Sequence, residues 1–260
     1  MNWAIAEAAD PSVVEPWTYQ ARTEIERTIW LEVLAYHAEM GIVDPDLVVR
    51  YGAAAHVDTR DRELEIEART RHDVKARIEA WNEVVGAEAI HLGMTSADIV
   101  DNAAQVQFSR SAAALARQMG GCPGLSDAIG RYPLRGIWGA VGTGLDQVEL
   151  TGRREAPGEV SRRVADRLGF DYVMGSVGQQ YPRSIDLDIA GIAVSATRAM
   201  VPGSPIIQLA GGYLSMLSAI SGDQWGEGDV SSSVVRRIAL PGVLLACSAA
   251  LCASRTSQDA

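Results

Sequence analysis

Groups that can move protons or hold anions crowd into one stretch, HLGMTSADIVDN, at residues 91–102. His91 leads into Thr95, Ser96 and Asp98. Thr95 and Asp98 have the spacing of a capping box, in which the hydroxyl accepts from a free backbone N–H and the acid caps back. On that reading the stretch is an ordinary helix start. A second reading adds that a helix start presents unpaired N–H groups and positive partial charge. Thr95 and Ser96 could then hold a carboxylate, with His91 at the rim. The stretch alone leaves both readings open.

Three further runs carry similar chemistry. In RHDVKAR, residues 71–77, His72 and Lys75 are three apart and are expected on one helix face, with Asp73 beside them. An acid near an imidazole can raise its pKa and fix its tautomer; the run also reads as a solvated charged face. In SVVRR, Ser233 and Arg237 are four apart. A hydroxyl beside a guanidinium makes a phosphate clamp, or simply a surface turn. GQQYPRS offers an amide, Gln179, and an arginine, Arg183, in a loop. The glycine-spaced PLRGIWGAVGTG has no preceding strand, so it lacks the context of a dinucleotide fingerprint and reads as turns. His37 and His56 read as structural or surface histidines.

The elements that must position these groups read as helices almost throughout. Apolar residues at Ile25, Ile29, Val33, Tyr36 and Met40 have helical spacing, stopped by Gly41. Residues 58–85 read as one charged periodic stretch with Ile66, Val74, Ile78 and Trp81 on or near one face. Residues 97–119 form an alanine-rich helix ended by GGCPG. Further helices are expected up to residue 132 and over 159–168, 185–200, 206–220 and 231–240, the last stopped by Pro241-Gly242. VPGSP breaks the chain after Met200. The expected class is all-α: an N-terminal helical domain over 1–96, a shortened helical bundle over 97–253 and a disordered tail over 254–260.

Composition narrows the partners. The chain has 260 residues, 47% hydrophobic and 22% charged, with net charge −10. That balance favours neither nucleic acid nor an anionic membrane, so an anion site must be built from local basic residues. Of the 23 basic residues only Lys75 is lysine. No signal peptide is read, and the apolar stretches 189–194 and 238–253 read as broken or too short for a bilayer. Cys122, Cys247 and Cys252 lack zinc spacing, and an odd count argues against a disulfide framework. A reducing cytoplasm is expected, with no metal or other cofactor.

In order, TRHDVKAR, HLGMTSADIVDNA, RYPLRGIWGAVGT, SVGQQYPRSIDLD and QWGEGDVSSSVVRRIALP resemble the adenylosuccinate lyase family of the fumarase/aspartase superfamily. The resemblance runs over roughly residues 17–241, with gaps. It implies a fumarase/aspartase-like helical bundle and a C–N lyase of purine nucleotide biosynthesis. The implied reaction β-eliminates fumarate from adenylosuccinate, leaving AMP, and acts likewise on the succinyl-carboxamide ribotide. It implies His72 and His91 in the chemistry and Lys75, Thr95, Ser96, Gln179, Arg183, Ser233 and Arg237 in binding. Of these, Thr95 and Ser96 would take the succinyl carboxylates, and Ser233 with Arg237 the phosphate. The implied partners are a small-molecule substrate and further copies of the chain, in a homotetramer whose sites draw on three subunits.

The sequence also departs from that family. No histidine follows His91, where the family carries a general-acid histidine on a loop. VPGSP stands where the family carries a serine-rich loop with the general base, and the asparagines are only Asn2, Asn82 and Asn102. Glu7-Ala8 stands where the family has Arg-Tyr. The expectation is a family member with internal deletions and without the family's C-terminal domain, its activity impaired. The alternative is a catalytically inactive helical remnant that binds AMP-like phosphates or a partner subunit.

Overall fold

A computed structural model describes residues 3–222 and 231–256. In chain order its α-helices are α1 (Trp3–Ala8), α2 (Pro11–Val14), α3 (Tyr19–Glu39), α4 (Pro45–Ala53), α5 (Arg60–Thr70), α6 (Asp73–Val85), α7 (Ser96–Gln118), α8 (Pro123–Gly130), α9 (Leu145–Thr151), α10 (Ala156–Leu168), α11 (Ser184–Met200), α12 (Pro205–Ala219) and α13 (Ser231–Thr256). Among the described residues no strand forms; an isolated parallel bridge joins Leu134 to Val173. The chain is all-α, as expected.

Proline and glycine set many of the boundaries. Pro11, Pro45, Pro123 and Pro205 open α2, α4, α8 and α12, where a missing N–H costs nothing. Gly86 and Gly169 close α6 and α10 in the left-handed region that a side chain resists. Two expectations fail. Residues 58–85 are two helices rather than one continuous stretch: Arg71 takes φ 54° and ends α5, and His72, extended, caps α6. Nor does Pro241 end its helix, because α13 runs through it to Thr256. Proline removes the donor to the carbonyl four residues back. That carbonyl belongs to Arg237, an exposed residue, where water can take the bond. Beyond it Val243, Leu244, Leu245, Ala246 and Cys247 are fully buried and hold the helix on course.

The chain divides into two compact units. One comprises Met1–Arg22, Ala104–Tyr132 and Gln180–Ala260. Here α13 packs on α11, α12, α1 and α2, and α8 packs on α11. Gly242 lets Tyr213 of α12 close on α13: a Cβ there would lie 2.7 Å from the ring. Within α13, Ser232–Arg255 is long and apolar enough to cross a membrane by length and composition, against the sequence expectation. Its apolar window is 78% buried against the chain itself. The terminal residues 257–260, part of the tail expected to be disordered, and residues 223–230, which include the QWGEGDV stretch, lie outside the described residues.

The other unit comprises Thr23–Ala103 and Pro133–Gln179. In it α5 packs on α6, with Ile66, Ala76 and Ala80 in the seam, and α9 on α10. Trp30 of α3 and Trp81 of α6 meet with centroids 6.0 Å apart, and Tyr51 of α4 meets Trp81 edge-on at 5.0 Å. Arg77 of α6 forms a buried ion pair with Glu26 of α3 at 2.7 Å. These contacts hold α6, at whose start His72 and Lys75 lie.

Candidate functional site

The start of α7 is held from behind. Asp98 is fully buried and ion-paired with Arg135, itself fully buried. The same carboxylate accepts from the backbone N–H groups of Trp138, at 2.9 Å, and Gly139, at 3.1 Å. Its second oxygen accepts from the Thr95 N–H at 2.8 Å, which is one half of the expected capping box. One turn on, Asn102 donates to the Asp98 and Gly136 carbonyls and accepts from the Gly136 N–H. Ser161 of α10 takes the Ile137 N–H. The glycine run thus wraps the first turns of α7, and Asp98 does far more than cap.

Four of the selected residues, His72, Thr95, Ser96 and Gln179, meet in pairs at that start. His72 Nδ1 accepts from the Lys75 N–H at 3.2 Å, so the neutral ring carries its proton on Nε2. Nε2 is 3.4 Å from the Ser96 hydroxyl. Gln179 donates to the Thr95 hydroxyl at 3.4 Å and accepts from the Val141 N–H at 3.0 Å, while its carbonyl accepts from Arg135 at 3.1 Å. The structure therefore brings His72 to Ser96 and Gln179 to Thr95. The expected shared face of His72 and Lys75 does not form, because His72 caps the helix rather than lying in it. Lys75 pairs with Glu79 at 3.6 Å, and Asp73, expected to act on His72, reaches Arg77 at 3.4 Å.

His91 is half-buried and sits at φ 70°, a left-handed conformation uncommon for a residue with a side chain. Its Nδ1 accepts from the Trp30 indole at 3.1 Å. Burial pushes its pKa down to about 4; the neighbouring His72 acts in the same direction, and Asp98 opposes both. The following carbonyls, Leu92 and Gly93, accept from Gln147, whose side-chain oxygen is 2.8 Å from buried His37 Nε2. His37, read as structural, is part of this support. The non-glycine residues with positive φ among those described are Arg71, His91 and Val141. Each is, or directly adjoins or bonds to, one of the selected residues, which is the usual company of strained backbone.

Arg183, Ser233 and Arg237 belong to the other unit and are placed there separately. Arg183 is buried, lies over the Tyr181 ring at 4.2 Å and donates to Gln180 at 3.3 Å. Ser233 is half-buried and Arg237 exposed on α13. The inward positions are their neighbours. Ser232 donates to Gln180 at 3.0 Å, and Arg236 pairs with buried Asp186 at 3.2 Å. Asp186 also accepts from Tyr132 and Tyr181. Sequence reasoning passed over this buried cluster, as it passed over Trp30, Asn102, Arg135 and Gln147. Only the arginine inside a glycine run carried any signal. Among the described residues no group of histidine, cysteine, aspartate and glutamate has metal-binding geometry.

No protein-family model matches the chain. Among curated proteins it is similar to adenylosuccinate lyase of Synechocystis sp., 36% identical over 103 residues, which cover 39% of this chain and 24% of that protein. The Streptococcus mutans protein is 45% identical over 80 residues, covering 28% and 18%. The Saccharomyces cerevisiae protein is 28% identical over 217 residues, covering 63% and 45%. The chain thus spans less than half the length of each of these relatives. Among solved structures, fumarate lyase from Mesorhizobium sp. has a TM-score of 0.69 at 15% identity, over 94% of this chain and 73% of that one. The 3-carboxy-cis,cis-muconate lactonizing enzyme from Pseudomonas putida has a TM-score of 0.71 at 16% identity, over 95% and 74%.

Shared fold and partial sequence matches place the chain in the fumarase/aspartase superfamily, over part of its members' length. Within that class, the curated relatives it matches are adenylosuccinate lyases.

Proposed function

We propose that the chain carries an adenylosuccinate lyase-type site that releases fumarate from a succinylated purine nucleotide or its carboxamide ribotide precursor. The observation that supports this best is the pairing of His72 with the Ser96 hydroxyl at 3.4 Å, at the N-terminus of a 23-residue helix. A helix start offers N–H donors to a carboxylate, and an imidazole beside it can take or give a proton. In the elimination a proton leaves the carbon next to one carboxylate, the C–N bond breaks, and the departing nitrogen gains a proton. Thr95 and Ser96 hold a succinyl carboxylate, and Ser233 with Arg237 take the phosphate. On this reading the chain works as a cytoplasmic homo-oligomer.

Turnover is slow on the same reading. Of the four histidines, His37 is buried on Gln147, His56 is exposed beyond the end of α4 and away from these residues in the chain, and His91 is held neutral, which leaves His72 with more proton transfer than one ring can serve. Loss of one acid–base partner costs about a hundred- to ten-thousand-fold in rate. The test is fumarate release from adenylosuccinate, followed by ultraviolet absorbance at high protein concentration. Release above buffer that disappears in His72→Ala supports the reading; no release from the wild type sinks its catalytic part. The same histidine shortage favours a second reading, a non-catalytic binder of AMP-like phosphates or of a partner subunit. Calorimetry with AMP tests its phosphate arm: heat in the wild type, lost in Arg237→Ala, supports it, and a flat wild-type trace ends that arm.

A further inference from the structure

The ring of His91 is gripped at one nitrogen. Trp30 is 2% exposed, and its indole N–H can only donate. It meets His91 Nδ1 at 3.1 Å, with the rings edge to face, centroids 6.1 Å apart and planes at 71°. An Nδ1 that accepts holds no proton, so in the neutral ring the proton sits on Nε2. The backbone is held too: Gln147 takes both following carbonyls, and a Cβ on Gly93 would lie 2.7 Å from the Gln147 amide. The ring therefore has little freedom to flip and exchange its nitrogens.

We propose that Trp30 is a positioning residue that locks His91 as the neutral imidazole protonated on Nε2, making His91 a fixed hydrogen-bond donor and not a proton shuttle. A neutral imidazole that gives up its remaining proton becomes a high-energy anion, and one protonated on Nε2 cannot accept a proton there. His91 can then only donate, toward an anionic oxygen. The titratable groups that act on His91 are Asp98 of α7 and His72 at the start of α6. The first favours a charged ring and the second opposes it, so neither selects between the two neutral tautomers. That choice belongs to Trp30. The role given to the donor rests on the lyase-type reading above; the tautomer does not.

The test is the ring nitrogen spectrum of His91 in the full chain labelled with 15N-histidine, near neutral pH. In the wild type Nδ1 should be pyridine-like and Nε2 pyrrole-like. A pyrrole-like Nδ1 overturns the proposal, and this measurement stands even if no variant folds. Trp30→Phe keeps most of the ring but removes the donor. It should lower the ratio of the Nε2–H to the Nδ1–H form by about fivefold, the scale of one net hydrogen bond; an unchanged ratio in a folded variant overturns the proposal. Trp81→Phe is the control for packing. Trp81 packs against Trp30 at a tilt but donates to the Ala54 carbonyl, so its loss should lower stability and leave the ratio alone. A ratio that moves as much in Trp81→Phe as in Trp30→Phe overturns the assignment to Trp30. An Nε2–H wild type that releases no fumarate leaves the tautomer standing and removes only the catalytic reading.

Discussion

The carboxylate of Asp98 and the guanidinium of Arg135 face each other where solvent reaches neither. A buried pair is costly to assemble, yet removing one partner strands the other's charge. Asp98 also ties down Thr95, Trp138 and Gly139. Asp98→Asn should therefore cost about 3–5 kcal/mol in urea unfolding near neutral pH. The double variant Asp98→Asn, Arg135→Met should recover part of that loss, since no charge is then left buried. A double variant as unstable as the sum of the two single ones would show that the pair itself is not what Asp98 supplies.

That pair also marks where sequence reading stopped. GGCPG and VPGSP announced their breaks because glycine and proline punctuate the chain locally, and α8 and α12 start on their prolines. The break before α6 has no such mark. Arg71 takes a conformation its own side chain disfavours, with its N–H on the Glu67 carbonyl and α5 packed on α6. At Pro241 the local rule misled, because a run of buried side chains outweighed one missing hydrogen bond. Asp98 was legible as a cap but not as an ion pair, whose partner lies 37 positions along the chain. In SVVRR, spacing showed that Ser233 and Arg237 share a face but not which face turns inward. The structure buries Ser232 and Arg236 instead. His72 with Ser96 and Gln179 with Thr95 do come together as pairs, although only the start of α7 was marked in the sequence, by the Thr95–Asp98 spacing.

Protonation of His91 should oppose folding. Its folded pKa of about 4 lies below the ordinary 6.5, so between these values the unfolded chain binds more protons. The stability this supplies is complete above the ordinary value and is lost as pH falls toward 4. Buried His37, also shifted down, adds in the same direction. Linkage sets the His91 contribution at up to about 3 kcal/mol. In urea unfolding, the wild type should exceed His91→Gln by more at pH 7.5 than at pH 4.5. A gap that does not change with pH would mean that the ring is not held neutral.

Gly142 sits at φ 70° with the Val177 carbonyl where a side chain would go: a Cβ would meet that oxygen at 1.6 Å. The residue after next from Val177 is Gln179, so this approach sets where the Gln179 amide can reach. Gly142→Ala should cost about 3 kcal/mol, from strained backbone and the clash together. It should also raise hydrogen exchange across residues 139–144 and 175–179. Gly158, early in α10 with nothing within 4 Å of an added Cβ, is the contrast. There alanine should stabilise by about 0.5 kcal/mol.

Val141 and Gln179 hold each other in place, and a double-mutant cycle can measure by how much. Val141 is β-branched, 48% exposed and at φ 54°, a conformation that costs such a residue about 1–3 kcal/mol. Its N–H donates to the Gln179 side chain at 3.0 Å, and that contact is available only while the backbone stays there. Glycine removes the steric cost but adds chain entropy to the unfolded state. Val141→Gly should therefore raise stability by about 1 kcal/mol in the wild-type background. In Gln179→Ala the backbone is free to relax, so the same substitution should add little. The difference between the two backgrounds, read from urea unfolding, is the strain that Gln179 maintains beside Thr95. Equal gains in both would mean that Val141 is held by its neighbouring glycines and not by Gln179.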